Sequence, residues 1–348
     1  MTMARLPKLV SRLSILPSIS LAALLATATP SLAKTIPVGP NETFKQPSEA
    51  IAVAADGDTL EVAPGQYYDC AIIRQKQLTI VGTGPDVVLT DRMCEGKGLL
   101  IARGNDLTIR NLTFTRARVA DLNGAGIRLE SGNLTVDHAQ FINNETGILA
   151  DDAPRSTIRI LNSVFDQNGR CDKSCSHGIF VGRIALLNIE HTRFFDTHDG
   201  HHIKSRALRT ELIDDDIEDG PRGTSSYLVE IPNGGSLIMQ KNRLEKGPHS
   251  TNLRAAIMID DEEKLQITNE LTFFDNYFVN DTGEQIVFAL NWSETDAVLN
   301  GNIFKGDVTK ISSKGYALHK TREFLYMIKG YVLQFARAVK HLIAVVGV

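Results

Sequence analysis

The side chains best suited to chemistry crowd into one stretch, Asp196-Thr-His198-Asp199-Gly-His201-His202-Ile-Lys204-Ser-Arg206. Histidines move protons near neutral pH, and alternating cations neutralise an anionic group. On an extended strand, Ile203 and Ser205 face one way while Lys204 and Arg206 face the other. A uronic acid within a polysaccharide calls for such a set. Removing its C5 proton requires neutralisation of the neighbouring carboxylate, a base, and an acid at the bridging oxygen. Lys204 and Arg206 are the expected carboxylate clamp, His201 or His198 the base, and Tyr227 or His202 the acid. His177 precedes Ile179 by two residues, as His201 precedes Ile203, so stacked coils would hold the two about 4.8 Å apart. Tyr227 falls beside them on the following coil, with Arg183 and Arg222 on flanking loops. His177, His201, Tyr227, Lys204 and Arg206 are expected to converge on a single outer patch that takes an acidic polymer.

Other chemistries fit less well. His198, His201 and His202 are close enough for a metal, but this turn offers no helical i, i+4 pair. The acidic runs Asp214-Asp215-Asp216 and Asp260-Asp261-Glu262-Glu263 could bind calcium, and read better as solvated turns. No cofactor is expected, calcium being the one candidate. A hydrolase would use paired carboxylates instead.

These residues need a scaffold, and a repeat supplies it. Leu107-Thr-Ile-Arg-Asn-Leu-Thr-Phe114 returns at Leu134–Phe141, Ile158–Phe165 and Leu187–Phe194, then ends at Ile217, Leu244, Phe278 and Phe304. Short second strands lie between, such as Gly126-Ile127, Gly147-Ile148 and Gly178-Ile179. Units of this kind cannot bury a face alone and must stack. Period-2 alternation then sends one set of side chains inward and the other out. The expected fold is an all-β, single-domain right-handed parallel β-helix of roughly ten coils over 34–310. A polar column three residues before each Phe position (Asn111, His138, Asn162, His191, Asp214, Lys241, Asp275) reads as a recurring turn. Pro47–Ala55 has helix character and would cover the first coil.

Composition agrees with a turning, repeating chain: 348 residues, 27 Gly, 6% aromatic and a net charge of -4. The slightly acidic balance argues against a nucleic-acid partner. Residues 1–33 read as a secretory signal, with Arg5, Lys8 and Arg12, an apolar stretch, and Ser31-Leu32-Ala33 as cleavage site. A periplasmic or secreted location makes disulfides the expected use of the four cysteines, with Cys171 and Cys175 stapling a loop. Cys70 and Cys94 lie one coil apart and can bridge adjacent coils.

Asp56-Gly-Asp-Thr-Leu-Glu-Val-Ala-Pro-Gly-Gln-Tyr67, after the helix, resembles the entry motif of pectin-lyase-like β-helix proteins. The resemblance, covering roughly 34–310 with the repeats, implies the fold. It leaves activity open, since that superfamily includes lyases, hydrolases, epimerases, esterases and non-catalytic proteins. Asp196-Thr-His198-Asp199 is similar to the D-P-H-D/E motif of mannuronan C5-epimerases, with Thr197 in place of Pro. That likeness gives Asp196 and His198 catalytic roles.

The tail, 311–348, departs from the repeat. Its cations (Lys320, Arg322, Lys329) alternate with Phe324, Leu325 and Ile328, an amphipathic helix or cap pattern and the one expected point of membrane contact. The functional expectation is an exported, monomeric lyase or C5-epimerase acting on an acidic polysaccharide. Its alternative is a non-catalytic binding or accessory protein on the same solenoid.

Overall fold

The computed structural model describes residues 33–313 (backbone only at Asn105), Thr321 and Ile328. The expected signal segment and most of the tail lie outside these residues. Strands from Thr35 to Ser312 assemble into three long parallel sheets. Sheet A has 11 strands, from Thr35–Val38 to Ala297–Asn300; sheet B has 10, from Gly65–Tyr67 to Ile303–Lys305; sheet C has 10, from Ala71–Ile73 to Val308–Ser312. The chain visits A, B and C in turn, so each circuit adds one coil of a parallel β-helix of about ten coils. No helix among the described residues is long and apolar enough to cross a membrane.

The repeat dictates this stacking in register. Phe114 pairs with Phe141, Phe141 with Phe165, and Phe165 with Phe194. Their rings stack with centroids 5.0, 4.6 and 4.7 Å apart inside the coil, and Ile217 and Leu244 continue the column. Gly126 and Gly147 make room for it: a Cβ on Gly147 would lie 2.8 Å from the Phe165 ring and 2.6 Å from the Gly178 carbonyl.

The polar column is the turn from sheet A to sheet B. All seven of its residues have φ between 49° and 58°, the left-handed region in which Asn, Asp and His are enriched. From His191 onward, the residue after each one builds a ladder through the interior. The backbone N–H of Thr192 donates to Asp215, that of Asp215 to Asn242, that of Asn242 to Asn276, and that of Asn276 to Asn302, at 2.8 to 3.0 Å. Each Asn also donates its Nδ2 to a carbonyl of the preceding coil: Leu212, Met239 and Phe273.

Asp215 is the exception in this ladder. Its Oδ2 is buried without a hydrogen bond, and burial pushes its carboxyl well above the usual range. Desolvation penalises the charged form, so the protonated acid is favoured at this position. A raised folded pKa contributes stability below the unfolded value, and that contribution is lost as pH rises through the folded one. Asp215→Asn is therefore expected to leave stability unchanged near pH 3 and to raise it by about 1–3 kcal/mol at neutral pH. Denaturant melts of both proteins across that range check it; equal stability at pH 7 would refute the assignment.

Both ends of the cysteine expectation hold, with Cys70–Cys94 and Cys171–Cys175 bonded. The predicted helix runs Pro47–Val53 and buries Pro47, Ala50 and Ile51 against the first coil. Pro47 suits the first helical turn, where its missing N–H costs nothing. Gln75 Nε2 closes the far end by donating to the Ile51 and Ala54 carbonyls at 2.7 and 2.9 Å.

Candidate active site

Sheet C carries the charged patch on its outer face. Phe180, Lys204, Glu230 and Met258 occupy one outward column in consecutive coils. Ile203 and Ser205 are buried, as the alternation requires, and Lys204 and Arg206 project outward. The lysine Nζ lies 2.7 Å from Glu230 Oε2 and 2.9 Å from Glu262 Oε1, and Arg206 reaches Glu262 Oε2 at 2.8 Å. The Arg206 guanidinium also sits 5.1 Å from the Phe180 ring.

His177, His201 and Tyr227 stack beside this column, with ring centroids 4.7 and 5.3 Å apart. The backbone N–H of His201 donates to His177 Nδ1 at 3.0 Å, and that of Tyr227 donates to His201 Nδ1 at 3.1 Å. The His201 proton therefore belongs on Nε2, which lies 3.2 Å from Glu230 Oε2. With Nδ1 accepting from the Tyr227 N–H and the proton on Nε2, close to Glu230, His201 has no free lone pair to offer a substrate. It orients Glu230 rather than acting as the base.

The carboxylates take contrasting protonation states. Burial would raise Glu230, but His201 and Lys204 outweigh it and hold the carboxyl at about 2. Asp261 is pushed up to about 7, by burial first and then by the charge of Glu230. Its Oδ1 is buried and has no hydrogen-bond partner. The two carboxyls therefore differ in charge near neutral pH. Glu230 also keeps Lys204 charged: burial lowers the lysine, and Glu230 and Glu262 more than compensate.

Several expected site residues lie elsewhere. His202 is fully buried, with Nδ1 2.8 Å from Thr197 Oγ1 and Nε2 3.0 Å from Asp219 Oδ1. It belongs to the interior and cannot serve as an acid on the outer face. Asp196 is bonded to Arg222, whose Nε lies 3.0 Å away, at the turn from sheet B to sheet C. Burial and Asp196 raise the Asp166 carboxyl, while Arg222 and His198 lower it, so these four form a group of their own. Arg183 holds Asp152 at 2.7 Å on the turn after Ile179–Val181. The structure brings together the five residues expected to converge, His177, His201, Lys204, Arg206 and Tyr227.

Three acidic residues join them unannounced. The run Asp260–Glu263 is no solvated turn throughout, since Asp260 is buried and Glu262 closes on Lys204 and Arg206. Glu230 follows Lys204 in register one coil on, an opposite-charge pair that stacking the sequence would have shown. The other acidic run disperses: Asp214 forms the turn, Asp215 enters the ladder, and Asp216 lies 3.5 Å from Arg193. Among the described residues, no group of three or more His, Cys, Asp or Glu is arranged to hold a metal. A hollow of about 310 Å³ lined by Asp86, Asn111, His138 and Gln140 lies on the sheet A to sheet B turn, away from this patch.

No protein-family model matches the chain, and no curated protein sequence does. The fold is a parallel β-helix of three sheets. Among solved structures it is similar to the PL6 family alginate lyase AlyGC, at 17% identity and a TM-score of 0.45 over 78% of this chain and 40% of that one. It is also similar to the Streptococcus pneumoniae surface protein and adhesin PfbA, at 11% identity and a TM-score of 0.27, covering 73% and 91% of the two chains. This chain spans 40% of the length of the lyase chain.

Proposed function

We propose that the protein is an exported enzyme that modifies an acidic, uronate-containing polysaccharide by proton transfer at C5, as a lyase or C5-epimerase. The observation that carries this reading is the cluster of Lys204, Arg206, Glu230 and Asp261 on the outer side of sheet C. The uronate carboxylate replaces Glu262 on Lys204 and Arg206, while Glu230, oriented by His201, keeps Lys204 in place. Asp261 takes the C5 proton. In elimination, the electron pair left at C5 forms the new double bond as the C4–O bond breaks, and Tyr227 protonates the departing oxygen. In epimerisation, a proton returns to the opposite face of C5.

A second reading has its own support. Lys204 and Arg206 are already neutralised by Glu230 and Glu262, which suits a binder that exchanges one carboxylate for another without chemistry. Incubation with uronate polymers in heavy water separates the two. Ultraviolet absorbance from unsaturated ends marks a lyase, and deuterium at C5 without absorbance marks an epimerase. Tight binding with neither signal would overturn the enzymatic reading in favour of the binder.

A further inference from the structure

Beyond Glu230, the outer face of sheet C turns apolar. Ile257 and Ile259 point into the solenoid core, whereas Ala255, Met258, Leu290 and Trp292 form a separate cluster on the other side of the sheet. Met258 is 0% and Leu290 1% exposed although both face outward. Of the described residues, Tyr227 and Val287 pack against this cluster while themselves only partly buried, and the Arg254 guanidinium lies 4.8 Å from the Trp292 ring. Outward side chains buried to this degree need a cover.

We propose that residues 314–348 of this chain lie across this patch. The path of the chain supports it: the strand Val308–Ser312 pairs with Ile286–Asn291, placing Ser312 opposite Leu290. The segment therefore starts at the edge of the patch. It is rich in apolar residues and has six Lys or Arg against one acid, Glu323. The lip beside the patch, Asp260 to Glu263, is wholly acidic. Thr321 and Ile328, the two described residues of the segment, both have helical backbone and are exposed; seven residues apart, they share the outer face of a helix, whose other face is left for such a surface. The inference does not depend on the enzymatic reading.

Trp292 is the single tryptophan of the chain, so its emission reports on the cover directly. A chain ending at residue 313 is expected to keep its β-sheet circular dichroism while Trp292 emission shifts to the red. Its acrylamide quenching constant should rise several-fold. If that chain does not fold, the full-length Leu325→Asp/Leu333→Asp variant should show the same shift in smaller degree. Unchanged emission and quenching in the folded truncated chain, or in the double variant, overturns the proposal. So does a full chain that is dimeric and loses its Trp292 protection on dilution, since a second copy would then be the cover.

Discussion

Asp219→Ala is expected to destabilise the protein by about 3–5 kcal/mol, because it strands a buried charge. Asp219 is fully buried beneath the patch. It accepts from His202 Nε2 at 3.0 Å, from the Gly247 backbone N–H at 3.0 Å and from the Ser250 hydroxyl, with Lys246 Nζ 3.7 Å away. Lys246 is equally buried and donates to the Ser225 and Ser226 carbonyls at 3.0 and 2.6 Å. Without Asp219, its ammonium would keep only neutral hydrogen-bond acceptors, on Ser225 and Ser226, and burial already lowers it to about 8. Asp219→Ala/Lys246→Met should cost less than the sum of the single changes, since the pair leaves together. The pH dependence has a defined sign. Burial raises the Asp219 carboxyl, but His202 and Lys246 prevail and hold it below its ordinary value of 3.8. A depressed folded pKa stabilises above the unfolded value and is lost as pH falls below it, so the variant's deficit should shrink under acid. Urea melts of the three variants decide the matter, and a loss under about 1 kcal/mol for Asp219→Ala would refute the account.

That network explains why His202 misled the sequence reading. Alternation counted back from Ile203 sends His202 outward, yet it lies inside. In neighbouring coils the same position holds Gly126, Gly147, Gly178, Leu228 and Ala256, just before inward-facing residues. The chain turns into sheet C there, and two consecutive residues face the core. Strict period-2 counting fails at such a corner. The column itself, small or apolar in the other coils, was the available signal, and a histidine within it has to find buried partners, which Thr197 and Asp219 provide.

The fold was legible because its signals are local and repeated. The left-handed turn column and the Phe column each mark one point on every coil, so they fix the register together. The site was less legible because it depends on what lies across coils. Lys204 and Arg206 were assigned outward correctly, but their partners Glu230 and Glu262 are 26 and 58 residues from Lys204. Likewise, the tautomer that occupies His201 follows from a backbone N–H of the next coil. Residue type suggested a base there; the hydrogen bond removed it and left Asp261 as the group poised near neutrality.

On the enzymatic reading, Asp261→Asn should therefore lower kcat by about 10²–10⁴-fold, the usual contribution of a positioned general base. His201→Ala should do less, acting through the placement of Glu230. The pH profile separates these roles. A base must be deprotonated, so wild-type kcat should rise through a limb near the Asp261 value of about 7. Burial sets most of that value, and the negative charge of Glu230 adds to it. Glu230→Gln removes this charge, so the limb should move to lower pH even as the loosened Lys204 reduces the maximal rate. A structural role for Glu230 alone would lower the rate and leave the limb in place. If Asp261→Asn retains the wild-type limb, the proton passes through another group, and the assignment of Asp261 falls.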